Sequence, residues 1–445
     1  ELEKGDFDES EKLLLKVRNM TEELFGVGHL AMAEVNHELA NVYKKQGNYK
    51  EAEELYQKSL QIRRSALGEE HPDVARNYND LAKVYEIQER YVEAEEFYQK
   101  SLNMRKKIQG EKHLDTASSY NNLANLYGIQ GRYEEAKELY QKSLQINERI
   151  LGEKHLYTAF VYGNLAKVYE DQGQYKKAEE LYKKSLEIRK EVCGDKHLDT
   201  AIGYNNLALI YGRQGRYKEA EELYQKSLQI RKKGLGNEHL AVAANYNNLA
   251  ILYTKQKKYL EAESLYRKSL EITKKILGEE SFKIAIVYNN VAELYKNQKK
   301  YQKAEELYQK SLQVNIKVLG NTHPFTATGY NNLARVYYNQ GKYQEAEKLF
   351  LRGLQINKKT LGEEHPSTIV NYHNLASVYR AKGENTNALL YFFRAYQSLP
   401  MEPEPGYPDR KGIYKELEAV YFKMNPQGNF KQWLVEQEKK AEKPE

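Results

Sequence analysis

A five-residue motif returns along this chain at a fixed interval of 42 residues. Residues 78–82 read Tyr-Asn-Asp-Leu-Ala, and residues 120–124 read Tyr-Asn-Asn-Leu-Ala. A fixed period of this size is typical of a solenoid, in which each repeat packs only against its neighbours. The motif leucine keeps its interval through nine repeats, with valine once, at Leu39, Leu81, Leu123, Leu165, Leu207, Leu249, Val291, Leu333 and Leu375. The 445 residues therefore predict one long array and not two or three ordinary domains.

Each repeat predicts two helices joined by a tight turn. In repeat two, apolar residues spaced by three and four define the buried face of a first helix. After a turn at residues 88–90, a second set with the same spacing defines a second helix. Gly110 follows the second helix and is predicted to be a left-handed C-terminal cap. Proline at the predicted first turn, where it is tolerated, is found at Pro72, Pro324 and Pro366. The fold class predicted is all-α, a right-handed superhelical solenoid of helix pairs.

Both ends of the array are degenerate. Residues 1–30 match only the second helix of a repeat, and residues 31–399 contain the nine repeats. Residues 400–445 begin with a proline-rich linker and continue as an atypical repeat. Phe430, Trp433 and Leu434 predict that this last repeat covers the apolar core of the array, as a terminal cap must.

Composition narrows the functional class. A net charge of +6, from 69 basic and 63 acidic residues, gives no argument for binding nucleic acid or a membrane surface. No apolar run approaches the ~20 residues that span a bilayer, so membrane insertion is not expected. A single cysteine, Cys193, forms no internal disulfide, which favours a reducing, cytoplasmic location. Cys193 occupies a slot that is leucine in other repeats and is predicted to be a packed thiol.

Motifs for catalysis and metal binding are lacking. The sequence has no phosphate-binding glycine loop, no nucleophile elbow and no His-Glu-x-x-His, so an enzyme is not expected. Histidine recurs where eight of the nine first helices begin, at His29, His71, His113, His155, His197, His239, His323 and His365. Neighbouring repeats place these histidines roughly 10 Å apart, whereas zinc needs its ligands at ~2 Å from one point. They are predicted to be polar loop residues, and no metal or cofactor is predicted.

The pattern Tyr-x-x-Leu-Ala-x-x-Tyr followed by Ala-x-x-x-Tyr resembles the tetratricopeptide repeat. The 42-residue length and the phrase Leu-Gly-Glu-x-His-Pro resemble the longer repeats of kinesin light chain and of a broad set of bacterial proteins. The match covers nearly the whole chain and points to the repeat superfamily, not to the light chain itself. This resemblance implies that the first helices line a concave groove that binds peptides. It also implies that asparagines hold the peptide backbone, although His37, Gly163 and His373 depart from the pattern.

The recurring asparagine pair has two compatible interpretations. An amide offers a donor and an acceptor, which suits a peptide backbone, but the pairs can also bond each other from repeat to repeat. The variable positions beside them predict apolar contacts at Leu209 and Ile251, and an acidic ligand residue at Arg335 and Arg380. The central repeats five to seven are expected to bind most strongly. The predicted peptide-binding residues are Asn79, Asn121, Asn205, Asn206, Asn247, Asn248, Asn289, Asn290, Asn331, Leu209, Ile251, Arg335 and Arg380.

The function predicted is a protein-interaction scaffold or adaptor that binds an extended protein segment or peptide. One alternative is the ligand-sensing array of a larger signalling protein; the chain begins at Glu1 without a methionine, which fits a piece of something longer. A remote alternative is an RNA-binding solenoid, which needs a continuous basic stripe. Glu86, Glu170, Asp171 and Glu293 interrupt any such stripe, so no nucleic-acid partner is expected.

Overall fold

The structure is a computed structural model that describes residues 4–88, 90–400 and 407–441. It divides into unit 1, Glu1–Ser281, and unit 2, Phe282–Glu445. The helices of unit 1 are α1 (Lys4–Phe25), α2 (Leu30–Gln46), α3 (Tyr49–Leu67), α4 (Pro72–Ile87), α5 (Tyr91–Gln109), α6 (Leu114–Ile129), α7 (Tyr133–Leu151), α8 (Leu156–Asp171), α9 (Tyr175–Cys193), α10 (Leu198–Arg213), α11 (Tyr217–Leu235), α12 (Leu240–Lys255) and α13 (Tyr259–Leu277). Those of unit 2 are α14 (Phe282–Asn297), α15 (Tyr301–Leu319), α16 (Pro324–Asn339), α17 (Tyr343–Leu361), α18 (Pro366–Lys382), α19 (Asn385–Gln397), α20 (Arg410–Met424) and α21 (Phe430–Ala441).

The all-α fold class predicted from the period is confirmed: from α2 to α19 the helices form consecutive antiparallel pairs of a tetratricopeptide-type solenoid. The first helix of each pair is called the A helix and the second the B helix. Six pairs, α2/α3 to α12/α13, belong to unit 1, and three, α14/α15 to α18/α19, belong to unit 2. None of the helices in the described part of the chain is long and apolar enough to cross a membrane.

Small residues hold each pair together. Ala82 and Ala94 are fully buried where an A helix crosses its B helix, which lets the two helices approach closely. The serine that follows on the B helix also forms a specific bond, because Ser101 Oγ donates to the Ala75 carbonyl at 2.8 Å. The same bond from B-helix serine to A-helix carbonyl recurs at Ser59, Ser143, Ser185, Ser227 and Ser311. A buried hydroxyl without a partner would be costly, so these bonds fix the position of one helix along the other.

Apart from the α4/α5 turn, which contains a residue outside the described part, the turn inside each pair has one left-handed residue. Glycine provides it in several repeats, as at Gly131 with φ 77°. In repeats six and seven, Lys257 and Lys299 take φ values of 62° and 60° instead. A side chain in this conformation costs roughly 1–2 kcal/mol, so these two turns are less favourable than their glycine counterparts.

A glycine follows each B helix from α3 to α17, and its conformation differs from the cap predicted for Gly110. Gly110 has φ 87° and ψ 166°, and Gly152 has φ 91° and ψ 160°. This is an extended mirror-image conformation and not the left-handed helical cap predicted for Gly110, which needs ψ near 45°. Asparagine tolerates the left-handed helical region, but the extended mirror-image conformation is accessible almost only to glycine.

Replacing Gly152 with alanine is therefore expected to destabilise unit 1 by roughly 1–3 kcal/mol. A Cβ built at Gly152 meets nothing within 4 Å, so the cost comes from the backbone and not from a clash. The matched control is Gly128→Ala inside α6, where the backbone is helical and alanine is the better helix former. Thermal denaturation of both variants checks this; a Gly152→Ala variant as stable as Gly128→Ala would contradict it.

The recurring histidines are N-terminal caps of the A helices. In α4 the His71 Nδ1 accepts a hydrogen bond from the Asp73 backbone N–H at 3.2 Å. His29, His113, His155, His197, His239, His323 and His365 accept the same bond. Each ring nitrogen thus satisfies one of the orphan N–H groups of a helix start, which the sequence showed only as a loop residue.

Acidification is expected to weaken the cap that His365 forms at the start of α18. Burial lowers the pKa of His365 from its ordinary value, so folding favours the neutral ring that caps α18. The stabilisation is fully present above the unfolded pKa of about 6.5 and is lost as pH falls through the lower folded pKa. Melting temperatures between pH 7.5 and 5.5 should fall more for the natural chain than for His365→Ser, the residue that repeat seven carries at this slot in Ser281. Equal slopes would contradict the prediction.

The C-terminal helices pack as a small aromatic core. Phe430 and Leu434 of α21 are buried, and Phe430 lies 5.4 Å from the Tyr421 ring of α20, centroid to centroid. Trp433 lies 5.2 Å from Tyr421 and 5.9 Å from Phe393 of α19. The predicted linker falls mostly on residues 401–406, outside the described residues. That α20 and α21 serve as a cap, and that α1 is a half repeat, remain predictions.

Candidate peptide-binding surface

The A helices of unit 1 lie side by side and present their asparagine pairs on one face, called here the amide face. Neighbouring A helices are joined on it by side-chain amides. The Asn122 Nδ2 donates to Asn79 Oδ1 at 2.7 Å, and the second asparagine of the following repeat, Asn164, donates to Asn121 Oδ1 at 3.0 Å. The Asn248 Nδ2 donates in the same way to Asn205 Oδ1 at 3.0 Å. Each bond is a rung between residues 43 positions apart, and together the rungs form an amide ladder.

Unit 2 has a rung of its own and one departure. Asn332 Nδ2 donates to Asn289 Oδ1 at 2.8 Å. Asn331, however, exchanges hydrogen bonds with Asn371, donating at 3.3 Å and accepting at 2.6 Å. Gly353 of α17 makes this possible, because a Cβ there would lie 2.4 Å from Asn331 Oδ1. The Asn331 amide is thus bonded to the next A helix, α18, and its contact with a peptide backbone remains a prediction.

Contacts between a histidine and a carboxylate take the place of amides at two rungs. His37 and Asp80 lie 3.3 Å apart in unit 1, and His373 and Glu416 lie 2.5 Å apart in unit 2. Burial opposes ionisation of Asp80, yet the His37 contact and two nearby ammonium groups hold its pKa well below the usual range. The hydrogen bond from His373 likewise lowers the pKa of Glu416. The departures His37 and His373 therefore continue the ladder through contacts between histidine and carboxylate.

These bonds match the interpretation in which asparagines join one repeat to the next. The amide oxygens of Asn79, Asn121, Asn205 and Asn289 are occupied by neighbouring repeats. Asn206, Asn247, Asn248 and Asn290 are half-buried on the A helices. Contact between any of these amides and a peptide remains a prediction.

The amide face also carries apolar side chains that sequence analysis missed. Three residues before the first asparagine position, Phe160 of α8 is 46% exposed and Ile202 of α10 is 40% exposed. On a helix this spacing puts them on the same face as the asparagine position. Leu209 and Ile251, the predicted apolar contacts, are half-buried on α10 and α12. The signal was present in the sequence: when the repeats are aligned, the position three residues before the first asparagine is apolar in repeats four and five.

Buried tyrosines of the B helices form hydrogen bonds with glutamates of their A helices. The Tyr98 hydroxyl donates to Glu86 at 2.6 Å, and Tyr182 donates to Glu170 at 3.1 Å. Glu170 is buried and also accepts from Arg213 Nε at 2.9 Å. Burial raises the pKa of Glu86, against the hydrogen bond from Tyr98. These acidic groups are therefore held in place by partners within the chain.

The two arginines predicted for the basic end of the surface, Arg335 and Arg380, have different surroundings. Arg380 lies 3.4 Å from Glu416 and 5.4 Å from the Phe392 ring, so its guanidinium is engaged. Arg335 is exposed on α16, and its charge helps to lower the pKa of Glu293 on α14, where burial acts in the opposite sense. The two arginines therefore differ, because Arg380 is paired within the chain and Arg335 is exposed.

Cys193, His197 and Asp199 form a cluster whose ligand atoms lie within 4.8 Å of one another. Cys193 is half-buried and not the packed core thiol predicted, because it ends α9 beside the loop. The His197 Nδ1 accepts from the Asp199 backbone at 3.1 Å, and the Arg189 guanidinium lies 3.6 Å from the Asp199 carboxylate. The histidine and the carboxylate are thus engaged, and a nearby positive charge opposes a cation, so we assign no metal here.

The sequence profile of the tetratricopeptide repeat matches residues 31–107, 115–191, 199–275, 283–359 and 325–400. A comparison with curated proteins found no match. Among solved structures, BtubC (BKLC) from P. vanneervenii is 27% identical, covering 53% of this chain and 92% of that one, with a TM-score of 0.41.

A putative kinesin light chain from Podosopora anserina, described as having nearly identical TPR-like repeats, is also 27% identical, covering 51% of this chain and 98% of that one, with a TM-score of 0.39. A Signal Transduction ATPase with Numerous Domains from Pyrococcus horikoshii, described as having a tetratricopeptide repeat sensor, is 18% identical, covering 87% of this chain and 54% of that one, with a TM-score of 0.46.

Proposed function

This chain belongs to the tetratricopeptide repeat family, a protein-interaction fold, and we propose on that premise that the amide face of unit 1 binds an extended segment of another protein. The role is that of a scaffold or adaptor. Tetratricopeptide arrays are typically not catalytic, so the proposal includes no reaction. It includes no nucleic-acid partner either, because acidic Glu86, Glu170 and Asp171 interrupt the basic residues of the A helices.

The observation that carries the proposal is the apolar stretch within a polar face. Phe160 and Ile202 are exposed on neighbouring A helices, next to half-buried amides. Exposed apolar patches with a polar rim mark surfaces that bind other molecules. Amide groups can pair with a main chain whatever its sequence, while the apolar residues select side chains.

The two contributions have different sizes. Apolar contact contributes about 25 cal/mol for each Å² removed from water, and each hydrogen bond to a main-chain group contributes a net ~0.5–1.5 kcal/mol.

An extended chain rises about 3.3 Å per residue, so a segment of about ten residues spans three repeats at a spacing of roughly 10 Å. We propose such a length for the segment that unit 1 binds.

Unit 2 supports a second, smaller proposal. Arg335 is exposed on α16, one helical turn after Asn332, and in the described part of the chain it acts on Glu293 through its charge without forming an ion pair. We propose that a ligand segment on this unit carries an acidic residue opposite Arg335. Arg380, already paired with Glu416, contributes less.

The test is selection from a phage-displayed library of random dodecapeptides on the purified chain, followed by titration of a selected peptide by fluorescence polarisation. Ile202→Glu, which places a charge in the apolar stretch, should weaken binding by tenfold or more. Gln229→Glu on the exposed side of α11 is the matched control and should bind like the natural chain. No selected peptide, or equal weakening by both variants, would overturn the proposal.

A further inference from the structure

The amide ladder of unit 1 is interrupted at repeat four. Elsewhere a first asparagine on one A helix accepts from the second asparagine on the next, as Asn121 accepts from Asn164 and Asn205 from Asn248. Repeat four has Gly163 at the first position, so α8 offers no side chain to α10 at this level. Glycine inside a helix is unfavourable compared with almost any other residue, so helix stability does not explain its presence.

The missing side chain leaves two amide groups open. The Asn206 Nδ2, which would donate across the rung, has no partner among the described residues. The Asn164 Oδ1, which would face the first asparagine of its own repeat, has none either. Asn206 keeps only a long contact of 3.5 Å, from Asn205 Nδ2 to its oxygen. One donor and one acceptor on adjacent A helices thus flank a position without a side chain.

The surroundings of this opening suit a peptide group. On one side lie the exposed Phe160 and Ile202. On the other side the charges are already paired, Lys167 with Asp171 at 2.6 Å and Arg213 with Glu170 at 2.9 Å. The opening therefore has a donor, an acceptor and an apolar border, and its neighbouring charges have partners within the chain.

We propose that this opening, bordered by Asn164 and Asn206, binds one main-chain amide of the protein segment that unit 1 takes up. Asn206 donates to the carbonyl oxygen of that segment, and Asn164 accepts from an N–H group. The adjoining ligand side chain is apolar and contacts Phe160 and Ile202. This inference rests on the proposed function and adds to it a specific subsite.

Closing the rung provides the test. A Cβ built at Gly163 lies 3.7 Å from Ser185 Oγ, an ordinary contact, so a side chain fits. Gly163→Asn supplies the residue that other repeats carry and gives Asn206 its missing acceptor. Gly163→Ala is the matched control, since it adds the Cβ without the amide. The probe is a peptide selected on the natural chain, titrated by fluorescence polarisation.

Gly163→Ala should bind the peptide within about twofold of the natural chain, whereas Gly163→Asn should bind at least tenfold more weakly. Both variants should melt higher than the natural chain, because glycine leaves the helix. Gly163→Asn should melt higher than Gly163→Ala, and adding Asn206→Ala should remove that extra gain. N-methylation of one peptide amide should weaken binding to the natural chain.

Several results would overturn the inference. If Gly163→Asn bound as well as Gly163→Ala while Ile202→Glu still weakened binding, the subsite would be wrong and the proposed function would stand. If Gly163→Asn melted no higher than Gly163→Ala, the open rung itself would be wrong. If replacing a glutamine or asparagine of the peptide weakened binding and no N-methylation did, the bound group would be a side-chain amide. If no peptide were selected, both the proposed function and this inference would fall.

Discussion

Removal of residues 407–445 is expected to lower the melting temperature of the chain by roughly 5–10 °C, corresponding to about 3 kcal/mol. The deletion takes away the buried side chains of Ile413, Leu417, Val420, Phe430 and Leu434. Each large apolar side chain contributes roughly 1.5–3 kcal/mol when buried, offset in part by the entropy of ordering α20 and α21. The deletion also exposes apolar surface of α18 and α19, so aggregation is expected as well.

Differential scanning fluorimetry and light scattering of the truncated chain measure both effects. The control is Val435→Lys, which changes an exposed residue of α21 and should leave the melting temperature unchanged. A truncated chain that melts like the control and stays monodisperse would show that residues 407–445 are not a cap.

Simultaneous replacement of Asn79, Asn121 and Asn205 by alanine is expected to destabilise unit 1 and to weaken its binding of the peptide. Each substitution breaks one rung, at a gross cost of roughly 0.5–1.5 kcal/mol. Alanine recovers part of this as the better helix former, about 0.5 kcal/mol at each site. The net loss over the three sites is expected to reach about 3 kcal/mol at most. Peptide affinity should fall by about tenfold, because the A helices no longer hold the amide groups in place.

Circular dichroism melts and peptide titration separate the two effects. The control is Asn103→Ala, an exposed asparagine of α5, which should leave both quantities unchanged. Lost affinity with an unchanged melting temperature would assign the asparagines to the ligand alone. Lost stability with unchanged affinity would assign them to the joints between repeats alone. Either result would contradict the dual role.

The period and the apolar spacing were sufficient to predict the helix pairs, because both follow from contacts three or four residues apart. Pro72, Pro324 and Pro366 take the first-turn positions predicted for them. The ladder joins residues 43 positions apart, so no pattern within one repeat could select it over peptide contact. The sequence is compatible with asparagines that contact a peptide and with asparagines that bond from repeat to repeat. The rungs match the second interpretation.

Other features depend on details that residue identity does not specify. Glycine is compatible with two left-handed conformations, so the ψ of 166° at Gly110 could not be predicted from its type. Asn331 turns towards Asn371 only because Gly353, on another helix, leaves room. From the sequence, Gly163 is only a departure from the asparagine pattern; the bonds around it show which neighbouring amide groups its missing side chain leaves open.

Thiol labelling tests the central claim, that an extended segment binds on the amide face of unit 1. Cys193→Leu gives a cysteine-free chain with the residue that other repeats carry at this slot. Into it, Ile202→Cys places a thiol on the amide face, and Gln229→Cys places one on the exposed side of α11. A saturating concentration of the selected peptide should slow maleimide labelling of the thiol at 202 severalfold and leave labelling at 229 unchanged. Protection at 229 with none at 202 would place the ligand on the B helices and contradict the account.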